Sequence, residues 1–388
     1  MNMPIRFCLI LLAVTLPLKA GAQGQPPGPG FGFGRGGAFE DSLRAQAENG
    51  DAEAQFQLGI RLAIGEGVKQ NSAEGISWLE KAAGGGHTKA MHALGALYEE
   101  GQGVEQSFEK AASWYGKAAA ADLPDAQFSL AMLHQNGRGV KKDPVKATEL
   151  AQKAASKGFS PAQAFYASKL VNGDGVDKNP SKAALWFLKA AKQDHPYAQR
   201  QLAYLYYGGN GVPVDYERCL AWYRRAVSVS QDPWAKNDLA WFLATCPEKK
   251  YHKGSEATEI AKDAIMSLEM QTGEQRHEII DTMAAALARN GQFSEAMVWQ
   301  KRSLKLLAED KDITDEERVK LKQEFEDRLK LYQADQAYAD KPPAKTGDSE
   351  PLYNDTILED NNSSESPNRN PLRRPQNSGE KPKKGNAA

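Results

Sequence analysis

Cysteine is scarce in this sequence, and the residue pairings on which catalysis or metal binding commonly rests are missing. Only three cysteines occur in 388 residues, at Cys8, Cys219 and Cys246, and none belongs to a Cys-x-x-Cys pair. The six histidines include no His-x-x-x-His or His-Glu-x-x-His spacing, the arrangement that many zinc sites use. A Gly-x-Ser-x-Gly nucleophile turn is also missing. We therefore expect no catalytic residue, no metal and no cofactor.

The sequence also lacks an excess of charge and a long internal apolar run. Its 49 basic and 50 acidic side chains leave a formal charge of −1. Nucleic-acid binding requires a strongly basic face, so we expect no nucleic-acid partner. No stretch beyond the N-terminus is apolar for long enough to cross a bilayer, so we expect no integral membrane span after the N-terminal signal is removed.

The N-terminus has the features of an export signal. Arg6 supplies a positive charge, residues 7–16 form a short apolar run, and Ala20 and Ala22 give a small-x-small cleavage site. The pattern predicts a signal peptide over residues 1–22, cut before Gln23, and an exported protein that is periplasmic or secreted. Retention of the segment as an uncleaved anchor is the alternative, although the run is short for a membrane span.

The most prominent feature that is present is an internal repeat. A Gly-x-Gly-Val element returns every 36 residues without an insertion, beginning at Gly65, Gly101, Gly137, Gly173 and Gly209. An alanine column and an aromatic column keep the same step: Ala54, Ala90, Ala126, Ala162 and Ala198; Trp78, Trp114, Leu150, Trp186 and Trp222. Five copies in register indicate stacked units of one supersecondary structure.

Each period predicts a helix, a turn and a second helix. Ala54, Leu58 and Leu62 are spaced by four residues along one face of the first helix, helix A. The first glycine of the turn ends this helix in the left-handed conformation. The second helix, helix B, follows a column of N-cap formers: Asn71, Ser107, Asp143, Asn179 and Asp215.

The two cysteines downstream of the signal leave two readings open. An oxidising compartment permits a disulfide between Cys219 and Cys246. Cys219, however, falls in a repeat column that is otherwise held by Gly75, Ala111, Ala147 and Ala183. A small buried thiol explains that position without a bond, so we favour two free structural cysteines.

The stretch from Ala90 to Ala119 reads Ala-x-x-x-Leu-Gly, then Gly-x-Gly-Val, then Trp-Tyr-x-Lys-Ala-Ala. In these motifs the chain resembles the Sel-like repeat family, a branch of the tetratricopeptide-like helical repeats. The resemblance implies an all-α fold, a right-handed α-α superhelical solenoid in which helices A line a concave face that binds partners. Five Sel-like repeats are expected over residues 39–232, after a Gly/Pro-rich linker over residues 23–38.

The remaining chain keeps helix pairs but loses the 36-residue register. The sequence from Asp281 to Ala296 resembles a tetratricopeptide repeat, and we assign such repeats to residues 233–310. Thr314 and Glu317 have the spacing of a capping box and open a C-terminal capping helix within residues 311–338. Residues 339–388 are rich in Pro, Asn, Ser and charge, and we expect a disordered tail.

The helix-A register assigns a set of residues to the concave face. Aromatic, methionine and arginine side chains are enriched at interface anchors. The candidate partner-binding residues are Phe56, His92, Phe128, Met132, Tyr197, Arg200, Tyr204 and Tyr207. At Phe56 and Phe128, packing in the core between repeats is an equal alternative, so the four residues from Tyr197 to Tyr207 are the favoured group.

These patterns predict a non-enzymatic scaffold of the cell envelope or secreted space that binds a protein or peptide. Two alternatives remain. One is a β-lactam-binding or hydrolysing enzyme, because some cysteine-rich Sel-like proteins have been linked to penicillin, although this chain lacks their paired cysteines. The other is a cell-wall anchoring module that uses the basic residues of the tail, which cluster over residues 369–384.

Overall fold

The computed structural model describes residues 35–343 and residue 352, and in this part of the chain all regular structure is helical. A short 3-10 turn at Lys249–Tyr251 precedes the thirteenth helix. The sixteen α-helices of the described residues are α1 (Arg35–Glu48), α2 (Ala52–Ile64), α3 (Ser72–Gly84), α4 (Thr88–Glu100), α5 (Phe108–Ala120), α6 (Pro124–Asn136), α7 (Pro144–Ser156), α8 (Ser160–Asn172), α9 (Pro180–Ala191), α10 (Pro196–Gly208), α11 (Tyr216–Val229), α12 (Pro233–Thr245), α13 (Gly254–Thr272), α14 (His277–Arg289), α15 (Phe293–Glu309) and α16 (Asp315–Gln333). The predicted all-α fold is confirmed.

The helices form a solenoid in which each one packs on the next along the chain. The even-numbered helices from α2 to α16 are helices A, and the odd-numbered helices from α3 to α15 are helices B. Three pairs of consecutive helices A also contact one another, α2 with α4, α10 with α12 and, most extensively, α12 with α14, whereas consecutive helices B do not approach to the same extent. Closer spacing of helices A is expected where they lie on the inner side of a curved stack.

Helix α1 begins at Arg35, inside the segment 23–38 that the sequence predicts as linker. Leu43 and Ala47, four residues apart, are buried against Leu58 and Trp78. Burial of this face on the first repeat favours a helix despite the preceding glycines. The rest of the predicted linker and the predicted signal peptide lie outside the described residues.

The predicted N-cap column caps all five helices B of the repeat array. In each case the side-chain oxygen accepts a hydrogen bond from the backbone N–H three residues later, as Asp143 does from Lys146 at 3.0 Å and Asn179 from Lys182 at 2.9 Å. Thr314 and Glu317 form the predicted capping box at the start of α16. These contacts satisfy N–H groups that a helix leaves unpaired at its first turn.

Both glycines of each turn are left-handed, and in four of the five turns the second also lies against the preceding helix B. Gly173 ends α8 in the left-handed region with φ of 76°, and its N–H donates to the Lys169 carbonyl oxygen. Gly175, also left-handed at φ 73°, lies against the first turn of α7 in the preceding repeat, where a Cβ atom would stand 2.7 Å from the Pro144 carbonyl carbon. The second glycine therefore sets how closely consecutive repeats approach.

Three tryptophans of the aromatic column are covered by the lysine that follows three residues later. The ammonium groups of Lys81, Lys117 and Lys189 lie 3.8, 3.8 and 4.0 Å from the ring centroids of Trp78, Trp114 and Trp186. A lysine three residues after a tryptophan reaches back over its ring on the same helix face, which gives a cation–π contact.

Cys219 and Cys246 are both free and buried, as favoured from the sequence. Cys219 takes the position at which a small residue lies in the crossing between helices A and B. In the first repeat this position is Gly75, where a Cβ atom would come within 2.7 Å of the Ala63 backbone nitrogen. Burial raises the pKa of the Cys219 thiol well above its usual value, so it stays protonated.

The capping helix is fastened by a buried ion pair. Two nitrogens of the Arg328 guanidinium approach the two carboxylate oxygens of Asp281 on α14 at 3.1 and 3.0 Å, and Gln300 of α15 donates to the same carboxylate at 2.7 Å. The sequence predicts a disordered tail from residue 339, but the first residues of that range do not form a free tail. Asp340 is instead hydrogen-bonded to helices α10 and α12. Leu352 is also buried, against the largest hydrophobic cluster.

The close approach at the second glycine yields a stability prediction. We expect Gly175→Ala to destabilise the chain by about 1–3 kcal/mol more than Gly158→Ala, since added atoms in a packed contact cost about that much. Gly158 is a matched control because its φ is 92° and a Cβ atom there would meet no atom within 4 Å. Urea unfolding of both variants measures the difference, and equal losses would show that Gly175 serves only the turn.

Candidate partner-binding face

The favoured candidate residues lie on one helix, α10. Tyr197, Arg200, Tyr204 and Tyr207 follow a spacing of three and four residues, which places side chains on one stripe of a helix. We call the surface formed by this stripe and the adjoining residues Asp238, Trp241 and Thr245 of α12 the helix-A face.

Two of the eight candidates are buried and do not belong to an accessible face. Phe56 is 2% exposed, and its ring stacks on His87 with the centroids 4.7 Å apart. His92 is 5% exposed, and its Nε2 lies 3.1 Å from the Ser129 hydroxyl. Burial lowers the pKa of His92, so the imidazole is held neutral. The core alternative holds for Phe56, and it extends to His92, because both side chains fill the contact between repeats.

Two further candidates are partly covered by neighbouring repeats. The Phe128 ring meets Phe159 and Phe165 edge to face at 5.7 and 5.8 Å. Met132, one turn further along α6, is half-buried. Because the exposed edges of both side chains remain available, they extend the helix-A face only as a partly apolar margin.

Arg200 is engaged within the solenoid. Its Nη1 lies 3.1 Å from the Asp232 carboxylate and its Nε lies 3.2 Å from the Asp238 carboxylate, and the side chain is only 11% exposed. Asp232 also caps α12 by accepting the Trp234 N–H at 3.1 Å. Arg200 thus joins α10 to α12. The sequence analysis assigned this residue to partner binding and did not predict these ion pairs.

The three tyrosines of the stripe differ in exposure. Tyr197 is half-buried, with its ring centroid 6.3 Å from that of Phe187. Tyr204 is 60% exposed, the most accessible of the eight candidate residues. Tyr207 is half-buried, with its ring 5.6 Å from Tyr216 and 6.0 Å from Phe242. Burial raises the pKa of the Tyr207 hydroxyl far above its usual value, and the nearby Asp340 carboxylate adds to the shift. The hydroxyl therefore stays protonated and acts as a donor.

The C-terminal segment returns to this face and is bound there. The Oδ2 atom of Asp340 accepts hydrogen bonds from the Tyr207 hydroxyl, from Trp241 Nε1 at 3.0 Å and from Thr245 Oγ1 at 2.9 Å. The Asp340 backbone N–H donates to the Thr245 carbonyl oxygen at 2.7 Å. We call the three side-chain donors the Asp340 pocket. All three are uncharged, so they hold a carboxylate by hydrogen bonds alone.

Tyr338 forms a second point of attachment. Its ring lies 6.0 Å from the Trp241 ring, and the Arg328 guanidinium stands 5.2 Å from its centroid. Arg289, the last residue of α14, donates to the Tyr338 carbonyl oxygen. Burial raises the pKa of Tyr338 to about 12. Tyrosine and aspartate, two residues apart, are thus both bound on the helix-A face.

Sequence reasoning missed Asp340, Tyr338, Trp241, Thr245 and Arg289. These residues come from helices α12 and α14 and from the end of the chain, so no local spacing connects them.

The sequence analysis also missed a glutamine column, in which buried Gln127, Gln163 and Gln199 donate to the last carbonyl groups of helices B. That column keeps the 36-residue step and was visible in the sequence.

Two other histidines have structural roles as helix caps. His87 and His195 cap α4 and α10 by accepting backbone N–H groups at 3.1 and 3.3 Å. Over residues 35–343, groups of three or more His, Cys, Asp or Glu that could bind a metal ion do not occur. Over the same residues, none of the helices combines the length and hydrophobicity of a membrane span.

The architecture defines the chain as an α-helical repeat protein. Residues 52–87, 88–123, 124–159, 160–195 and 196–228 each match the Sel1 repeat family. Residues 52–228 are therefore five Sel1 repeats, as the resemblance implied. Sel1 repeat proteins generally mediate protein–protein interactions and are typically non-enzymatic.

Solved structures support the same fold. The chain is similar to a Sel1 repeat protein from Oxalobacter formigenes, with 26% identity over 61% of this chain and 95% of that one, at a TM-score of 0.53. It also shares the fold of a protective antigen of uropathogenic Escherichia coli strains that displays an SLR fold, with 24% identity over 76% of this chain and 71% of that one, at a TM-score of 0.55. Among curated proteins, no sequence matches the chain significantly.

The Arg200 contact yields a pH prediction. Desolvation raises the pKa of Asp238 from 3.8 to about 6, while Arg200 opposes the shift. The folded chain therefore binds this proton more tightly than the unfolded chain, so the group stabilises the fold most at low pH, and its contribution falls as the pH rises through 6.

We expect Asp238→Asn to remove this dependence. Its unfolding free energy relative to the wild type should rise between about pH 4 and pH 6 and stay level above that range. Urea titrations at several pH values measure it. Because Asn cannot pair with Arg200, a constant offset is expected as well. A difference that does not vary with pH would show that Asp238 titrates normally.

Proposed function

We propose that the chain is a non-enzymatic scaffold that binds a protein partner along the helix-A face. One observation carries the proposal: an extended segment of the chain itself is bound on this face through Asp340 and Tyr338. A surface that orders an unstructured segment with both side-chain and backbone bonds has the chemistry needed to bind a peptide from another protein.

The accessible residues support the same interpretation. Tyr204 presents a large, rigid side chain with a polar end to solvent, and tyrosine gives extensive contact area at a low cost in conformational entropy. Tyr197 and Tyr207 lie on the same stripe and are half-buried. The interface we propose is centred on Tyr204 and bounded by the Asp340 pocket, with Phe128 and Met132 at its margin.

The exported location remains part of the proposal. It rests on Arg6, the apolar residues 7–16 and the small-x-small site before Gln23, all of which lie outside the described residues. No observation favours the β-lactam enzyme or the cell-wall anchor, and the basic cluster on which the anchor depends also lies outside the described residues.

Photo-crosslinking tests the proposed face. With a photoreactive amino acid at Tyr204, we expect a discrete crosslinked partner in cells that express the chain. The same amino acid at Leu185, which is 50% exposed on helix B α9, should give no such product. Mass spectrometry then identifies the partner.

Binding measurements with that partner complete the test. Tyr204→Ala should weaken its affinity by about tenfold or more, as expected for an interface hot spot, and Leu185→Ala should leave it unchanged. Equal crosslinking at the two positions, or unchanged affinity of Tyr204→Ala, would count against the helix-A face as the binding surface.

A further inference from the structure

The Asp340 pocket is a formed carboxylate site on two different helices. Tyr207 of α10 and Trp241 and Thr245 of α12 direct three donors at one oxygen of the Asp340 carboxylate. The pocket is completed by the Thr245 carbonyl oxygen, which accepts the backbone N–H of the same residue. Side chain and main chain of an aspartate are thus recognised together, which selects for an extended peptide.

The bound segment lies at the surface. Ala339, Lys341 and Pro342 are exposed, whereas Tyr338 and Asp340 are only half-buried. Residues 336–343 contain no helix or strand, so their attachment depends on the contacts of these two side chains and of the neighbouring backbone. A segment of this kind belongs to the low-stability end of a structure and can detach without unfolding the helices.

Detachment would remove one hydrogen bond of the half-buried Arg289, which keeps its bond to the Ala244 carbonyl oxygen. The three donors of the pocket are neutral, and Thr245 Oγ1 also lies 2.8 Å from the Trp241 carbonyl oxygen, to which it can donate instead. The contrast is the Asp281–Arg328 pair beneath the segment, in which loss of either partner would strand a buried charge. The hydrogen bonds of Asp340 can therefore open reversibly, whereas the Asp281–Arg328 pair holds the capping helix in place.

We propose that the Asp340 pocket recognises an extended peptide with an aspartate two residues after a tyrosine, and that residues 336–343 occupy it in cis until such a peptide from a partner protein replaces them. The inference rests on the proposed function and names the chemistry of the partner. A tethered segment has an effective concentration of about 1 mM. The apparent affinity of a competing peptide is therefore its intrinsic affinity multiplied by the fraction of molecules in which the pocket is open.

A direct binding test uses a fluorescent peptide with the sequence of residues 334–343 and the full-length chain. Tyr338→Ala/Asp340→Ala should open the pocket, and this variant should bind the peptide at least about tenfold more tightly than the wild type, because the cis competitor is lost. Asp340→Asn, which keeps the side-chain shape, should release the segment in part. Circular dichroism should show the same helix content in all three proteins.

Two controls assign binding to the pocket. A peptide with Asn at the position of Asp340 should bind the opened variant at least about tenfold more weakly, because neutral donors gain more from an ionised acceptor. Tyr207→Phe in the opened variant should weaken binding of the original peptide while retaining the ring contacts with Tyr216 and Phe242.

Three outcomes would overturn the inference. The first is that the opened variant shows no saturable binding up to about 1 mM peptide, the order of the tether's effective concentration. The second is equal binding of the peptide by the wild-type and opened chains, and the third is equal binding of the Asp and Asn peptides by the opened variant. If the photoreactive amino acid at Tyr204 nevertheless captured a discrete partner, the scaffold function would stand and only the pocket assignment would fail. If the peptide bound but Tyr204 captured no partner, the failure would lie in the scaffold proposal.

Discussion

In four of the five Gly-x-Gly turns, the contact between the second glycine and the preceding helix B sets how closely consecutive repeats stack. At Gly175 the backbone reaches the first turn of α7 so closely that a single methyl group would collide with Pro144. Thr148 reinforces the contact, since its hydroxyl lies 2.9 Å from the Pro144 carbonyl oxygen and 3.2 Å from that of Asp174. Because each repeat buries its apolar side only against its neighbours, this nearest-neighbour contact is repeated along the array and accumulates into the solenoid.

A regular stack makes the helix-A face possible. Consecutive helices A lie side by side, so residues that are distant in sequence become neighbours on one surface. Tyr207 and Thr245 belong to different helix pairs, yet their hydroxyl groups reach the same carboxylate oxygen of Asp340. The Arg200 ion pairs to Asp232 and Asp238 hold α10 against α12 at this point. Structural contacts and the candidate binding residues are therefore interleaved on the same face.

Much of the fold could be predicted from the sequence because its determinants are local and repeated. The N-cap column from Asn71 to Asp215, the first glycine of each turn and the capping box at Thr314 each act within a few residues, and all were confirmed. The boundary of the tail was wrong because composition alone cannot show that Asp340 finds three donors on helices α10 and α12. Phe56 and Arg200 show the same limit: helical spacing assigns a side chain to a face, but neighbouring repeats decide whether it is accessible.

Amide hydrogen exchange on the full-length chain tests most directly whether the helix-A face binds an extended segment. The Asp340 N–H donates to the Thr245 carbonyl oxygen, so we predict that it exchanges at least about tenfold more slowly than the same amide in a free peptide, the factor that corresponds to about 1.4 kcal/mol of protection against local opening. Asp340→Asn, which weakens the side-chain contact, should reduce this protection. Exchange of the Asp340 amide at the rate of the free peptide would contradict the account.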